Sequence, residues 1–172
     1  MKSNTKFSRA RLRGACLVLA AAAYVLLSSA GDVRAATWKG LEPFVSNRAD
    51  VLRVLGAPVA DRMAEDGSLE FNVSGGKVTV FFVTQKFVET KRLPAHYQGT
   101  VLQIVLQHER ATDTPESMNL VTNKSFKREA RGGVEKYTDE KEGLIYTFVE
   151  SHLKTTRYAY SLDRLARIQR GK

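Results

Sequence analysis

The side chains best suited to chemistry are three histidines, His96, His108 and His152, an acidic turn of Asp139, Glu140 and Glu142, and two diglycines, Gly75-Gly76 and Gly132-Gly133. A metal held by histidine needs ligands at i, i+3 or i+4, or in a short cluster. No two of these histidines have such a spacing, so no metal is expected and each reads as a surface or strand-end residue. Neighbouring carboxylates can share acid and base work, yet Asp139, Glu140 and Glu142 are interleaved with Lys136 and Lys141, which is the pattern of a solvated charged turn. No serine sits in a G-x-S-x-G elbow. Neither diglycine is followed by the helix start and Lys-Ser or Lys-Thr that a phosphate loop requires, so both read as turns. No cofactor is expected. One looser group, Arg92, His96 and Tyr97, would offer convergent polar side chains if the fold gathered them in a pocket.

The aromatic residues carry more promise for binding than for catalysis. Phe81, Phe82, Phe87, Tyr97, Tyr146, Phe148, Tyr158 and Tyr160 exceed what one face of a thin sheet needs, and exposed tyrosine among arginine is typical of interfaces. Trp38, Phe81, Tyr97, Tyr158 and Tyr160 are therefore the candidate partner-binding residues, with core packing as the competing use. A basic tail, Arg164, Arg167, Arg170 and Lys172, reads either as a solvated terminus or as a contact for anionic lipid or polymer.

These residues need a compartment and a scaffold. Residues 1–14 carry Lys2, Lys6, Arg9, Arg11 and Arg13 with no acid, and residues 15–27 form an uninterrupted apolar run. That is the pattern of a Sec signal peptide. The 13-residue run is shorter than the roughly 20 residues needed to span a bilayer, which favours cleavage over a retained anchor. The preferred cut follows Ala35, with Ala30 as the second candidate. Cys16 opens the apolar run with Arg13 three residues before it, so it does not form a lipobox. The expected location is periplasmic or secreted.

Residues 36–172 contain no cysteine, so packing alone must stabilise them. They are expected to form one domain, with halves at 36–112 and 113–172. The full chain carries a net charge of +9, but six basic residues and one acid fall in residues 1–35. The remainder holds 21 basic and 17 acidic residues, a net of +4, too small for a nucleic-acid footprint.

Residues 38–44 read as an extended lead-in in which Trp38, Leu41 and Phe44 dock on the body. Ser46 is the expected cap of a helix of about ten residues whose inner face is Val51, Leu52 and Leu55, with Asp50 in its first turn and Gly56 and Pro58 ending it. Leu69, Phe71 and Val73 alternate as a strand, and Gly75-Gly76 turns the chain into a partner over 77–83. Residues 85–98 read as a loop or frayed strand end. Residues 99–108 give the clearest strand, with Leu102, Ile104 and Leu106 on one face. Thr114-Pro115 marks a second helix start, and short strands follow at 134–138, 144–149 and 154–160. Residues 161–172 read as a terminal helix with Leu162, Leu165 and Ile168 inside and Arg164, Arg167 and Arg170 outside, or as a frayed strand end.

Trp38-Lys39-Gly40-Leu41, Pro43, Ser46, Arg48-Ala49-Asp50-Val51 and Leu55-Gly56-x-Pro58 together resemble the opening of a group of uncharacterised exported bacterial proteins. More loosely, the helix closing on Leu-Gly-x-Pro is similar to the start of the outer-membrane-assembly lipoproteins of the SmpA/OmlA type and of the related β-lactamase-inhibitor-protein-like fold. The chain departs from those lipoproteins in lacking their lipidated cysteine. The inhibitor-like resemblance implies a tandem arrangement and a sheet that binds another protein. The two expected helix starts lie 69 residues apart and the paired strands 66 apart, which suits a tandem helix-plus-three-strand repeat without residue identity to support it.

The fold expected is α+β, an antiparallel sheet of about six strands with two short helices packed on one face. The function expected is an exported, non-enzymatic module that binds another envelope or extracellular protein, with no nucleic acid as partner. The alternatives are a small ligand carrier or hydrolase using the sheet concavity, and a structural subunit of an envelope complex.

Overall fold

The computed structural model describes residues 36–60 and 64–171, so the leader expected over 1–35 and the terminal Lys172 lie outside the described residues. Those described belong to one compact unit, Val33–Lys172. No helix among them is long and apolar enough to cross a membrane.

The first helix, α1, covers Arg48–Leu55, two residues shorter than expected. Its cap is Asn47 rather than Ser46. Asn47 Oδ1 accepts from the Ala49 and Asp50 N–H groups at 2.8 and 3.2 Å, and Asp50 Oδ2 accepts from Asn47 N–H at 2.9 Å. This reciprocal box satisfies helix-end donors that have no intrahelical partner. Ser46 is buried and closes the preceding loop instead, its Oγ accepting from Glu42 N–H at 3.0 Å.

Among the described residues seven strands form a single antiparallel sheet: β1 Ser68–Val73, β2 Gly76–Phe82, β3 Val101–His108, β4 Lys127–Arg131, β5 Val134–Asp139, β6 Leu144–Val149 and β7 His152–Ala159. Their order across the sheet is β1-β2-β3-β7-β6-β5-β4. The expected count of about six missed β4, whose sequence KREAR has every residue exposed and no apolar alternation. Charge on an edge strand discourages pairing with a foreign strand, so the features that hide β4 from a pattern search suit it to the rim. At the first turn Gly76 has φ +153° and lies against the backbone carbonyl of Gln107, where a Cβ would collide.

The stretch expected to be a loop at 85–98 instead holds a helix, α2 Gln85–Lys91, and a 3₁₀ turn, Ala95–Tyr97. Thr84 Oγ1 caps α2 by accepting from Phe87 N–H at 3.2 Å, and Arg92 ends it at φ +52°. The second helix expected after Thr114-Pro115 is absent. Turns occupy 115–122, with Met118 N–H donating to Thr114 O and Leu120 N–H to Pro115 O, before Asn119 at φ +55° ends the helical path. The terminal helix, α3 Leu162–Arg170, forms with Ser161 as its cap. Its inner residues are Leu165 and Ile168, whereas Leu162 is 68% exposed. Arg164, expected outside, is largely covered and pairs with Glu42.

Three apolar clusters hold this arrangement. Val51, Leu52 and Leu55 of α1 pack with Trp38 and Leu41 against Leu69, Phe71, Val78, Val80 and Ile104. Leu120, Met118 and Phe126 pack on Tyr137, Phe148 and Leu153. At one end of the sheet Phe44, Val83 and Leu93 gather with Phe87, Tyr97, Tyr160, Leu165 and Ile168.

Candidate functional site

Strand register assigns side chains to faces because successive residues point oppositely, with irregularities at Phe81/Phe82 against β3 and at Thr147/Phe148 against β7. Leu69, Phe71, Val78, Val80, Ile104, Leu106, Thr156, Tyr158, Tyr146 and Tyr137 fall on one face, which the first and third clusters cover. The opposite face carries two full cross-strand rows. One runs Glu70, Thr79, Val105, Arg157, Ile145, Thr138, Lys127, and the next runs Asn72, Lys77, Gln107, Thr155, Thr147, Lys136, Glu129. Phe81 and Gln103 extend it at one end, and Val149, Val134 and Arg131 at the other.

Among the described residues, none of the three clusters covers the second face, which is called the bare face below. Phe81, Val105, Ile145, Val149 and Val134 point from it, and none belongs to any of the three clusters. All are half-buried by their sheet neighbours except Val134, which is exposed. Antiparallel sheets often leave one face to water, and that face is then usually polar. Here five apolar side chains stand among threonines and glutamines.

Its charges are partly arranged already. Lys77 Nζ lies 2.9 Å from Glu70 Oε1, and Glu129 is approached by Lys136 at 3.7 Å and Lys127 at 3.9 Å. These are exposed pairs that contribute little to stability.

Among the described residues, the covered face holds one polar contact between the neighbouring strands β3 and β7 that resembles a catalytic pair. His108 Nε2 lies 2.9 Å from Thr156 Oγ1, and Asp113 is near enough to favour the charged imidazole. Burial outweighs that carboxylate and lowers the His108 pKa below its ordinary 6.5. Thr156 is only 4% exposed, so its hydroxyl cannot meet a substrate. Burial likewise raises the pKa values of Tyr146 and Tyr158. A cleft of about 270 Å³ beside His108 is lined by Trp38, Lys39, the 74–77 turn and Leu106. A larger one, about 520 Å³, lies at the β4–β5 end, where Lys124, Lys127 and Lys141 stand beside Asp139 and Glu140. Asp139 is committed to its own turn, accepting from the N–H groups of Lys141 and Glu142 at 3.0 and 3.1 Å. Among the described residues no three His, Cys, Asp or Glu side chains converge to hold a metal.

The five aromatic candidates separate. Phe81 is on the bare face. Trp38 packs against the first cluster with Lys39 Nζ 5.2 Å from its ring centre, and Tyr158 packs on the same cluster from β7. Tyr97 and Tyr160 pack around Phe44 in the end cluster, at ring separations of 5.7 and 5.1 Å. Arg92, His96 and Tyr97 do not converge on either cleft.

Arg157, Val105 and Ile145 occupy the middle of the bare face. Val105 between Gln103 and Gln107, and Ile145 alternating with Thr147 and Val149, are legible as strand residues. Which alternate set faces outward depends on the cover supplied by distant segments. Comparison with family models, curated proteins and solved structures finds no match to this chain.

Proposed function

We propose that this chain is an exported, non-enzymatic module that docks another envelope or extracellular protein on the bare face of its sheet. The observation that carries the reading is the set of five apolar side chains, Phe81, Val105, Ile145, Val149 and Val134, standing outside every core cluster on one continuous face. Apolar surface left in water is unfavourable by about 25 cal/mol per Å², so apolar side chains that no core cluster covers are stabilised when a partner covers them. The leader pattern over residues 1–35 and the likeness of residues 38–58 to exported bacterial proteins support export, and the looser likeness of the helix closing on Leu55-Gly56-x-Pro58 to the inhibitor-like opening supports a tandem, protein-binding sheet. In this reading the two halves are β1–β3 and β4–β7, joined side by side at β3 and β7, with helix and turn segments on the opposite face.

Two measurements test it. N-terminal sequencing of the product outside the cytoplasm is expected to begin at Ala36; a product retaining residues 1–14 would refute cleavage. Immobilised residues 36–172 are expected to enrich a partner from envelope extract that V105D/I145D, with an unchanged circular dichroism spectrum, does not. Equal enrichment by both would remove the bare face from consideration.

A further inference from the structure

We infer that the partner of the bare face is a protein presenting an acidic surface, and that Arg157 is the anchor that receives one of its carboxylates. The inference rests on the docking reading above and specifies its chemistry.

In regular register this face carries five cations, Lys77, Lys127, Arg131, Lys136 and Arg157, and two carboxylates, Glu70 and Glu129. Over the paired residues its net charge is therefore +3, with Glu109 just past β3 also acting on Lys77. Both carboxylates are already engaged by lysines, Glu70 by Lys77 and Glu129 by Lys136 and Lys127. What remains for a partner is cationic.

Arg157 is distinct among these groups. It lies on β7, the central strand of the seven, directly between Val105 of β3 and Ile145 of β6. Like that of Arg131 at the edge, its side chain has no hydrogen-bond or ion-pair partner among the described residues. A guanidinium presents a fixed fork of donors that matches a carboxylate, and its weak hydration makes it the cation least costly to bury at an interface. Placed between two branched apolar side chains that a docked partner would cover, it has the setting of an interface hot spot.

The surroundings select a protein over other anions. Five cations on four of the seven strands, interleaved with valine, isoleucine and threonine, are too sparse for a phosphate polymer or a lipid surface, which dense basic clusters serve. A second copy of the chain applied by a two-fold axis would set this basic face against itself, so self-association through it is disfavoured.

The test places p-benzoylphenylalanine at Val105 or Ile145 of the full chain, expressed in its own host, and identifies any protein adduct by mass. The same substitution at Lys86, on α2, is the control position. The adduct is expected from the two sheet positions and not from Lys86, with R157E reducing its yield and R157K reducing it less. With the identified partner purified, R157E is expected to weaken binding about 100-fold, and an Asp or Glu to Arg exchange on the partner to restore it. An adduct whose yield ignores R157E, or a partner with a neutral or basic contact surface, overturns this inference and leaves the docking reading standing. No protein adduct from either position overturns both. Binding of heparin or of phosphatidylglycerol vesicles that R157E abolishes, with no protein adduct, assigns the face to a polyanion or membrane instead.

Discussion

His108 and Thr156 share a hydrogen bond of 2.9 Å on the covered face, and burial holds the imidazole pKa below 6.5. In the unfolded chain the ring takes up its proton near pH 6.5, whereas in the folded protein it resists until lower pH. The unfolded state thus binds more protons in that window. Stability is complete above about pH 6.5 and declines as the pH falls towards the folded pKa. H108Q keeps a polar group near Thr156 and removes the titration. Urea unfolding at pH 7.5 and pH 5 is expected to show a smaller difference in H108Q than in the native chain; an identical difference would mean that His108 is not the group responsible. A second residue-scale contact joins Glu42 in the lead-in to Arg164 on α3, both largely covered. Truncation by R164A leaves the Glu42 carboxylate without its charged donor, and a loss of about 1–3 kcal/mol in urea unfolding is expected. Neither contact was legible in sequence. His108 and Thr156 are 48 residues apart and Glu42 and Arg164 are 122 apart, and no local pattern encodes a pairing at such separation.

At the scale of elements, what could be read was what is local. The stop at Gly56, the β1–β2 hairpin and the alternation of β6 all rest on neighbours in sequence, and all were visible. The α1 cap was displaced by one residue because Ser46 and Asn47 are both good caps, and only burial of Ser46 by the loop decides between them. N47A is expected to lower stability by about 1 kcal/mol in urea unfolding, while a surface change such as N72A should stay within about 0.5 kcal/mol. If N47A proved neutral, the box with Asp50 would not be contributing. Helix α2 escaped notice because QKFVETK has only Phe87 and Val88 as apolar residues, too few to show a period. Its existence depends on the end cluster, where both pack beside Phe44 and Leu93. The reverse error at 115–122 has the same origin: a good start signal at Pro115 was not followed by a site on which a full helix could dock.

For the whole molecule, the fold class was legible and the allocation of faces was not. Each strand announces two alternating sets of side chains, but only the segments 36–56 and 111–126 determine which set is covered, and they do so through three-dimensional contact. That is why four of the five aromatic candidates, Trp38, Tyr97, Tyr158 and Tyr160, lie half-buried against a core cluster, whereas Phe81 shares the bare face with Val105, Ile145 and Arg157. The distinction has a measurable counterpart. V80A, in the first cluster and fully buried, is expected to cost about 2–3 kcal/mol, whereas V105A on the bare face should cost less than about 1 kcal/mol. Comparable losses at both sites would mean that the second face is as much a core as the first.

The order β1-β2-β3-β7-β6-β5-β4 also sets a condition on how the sheet can be completed. β3 and β7 are each the free margin of a separately paired group of strands until residues 103–107 meet residues 155–159. Half of that seam is made by the last strand in the chain, so a chain ending before residue 155 would present two open margins with unpaired backbone groups. Because the two margins belong to one polypeptide, β3 of one copy can equally accept β7 of another. At high concentration during refolding, exchanged dimers joined through residues 109–126 are the expected by-product, detectable by size-exclusion chromatography and slow to revert.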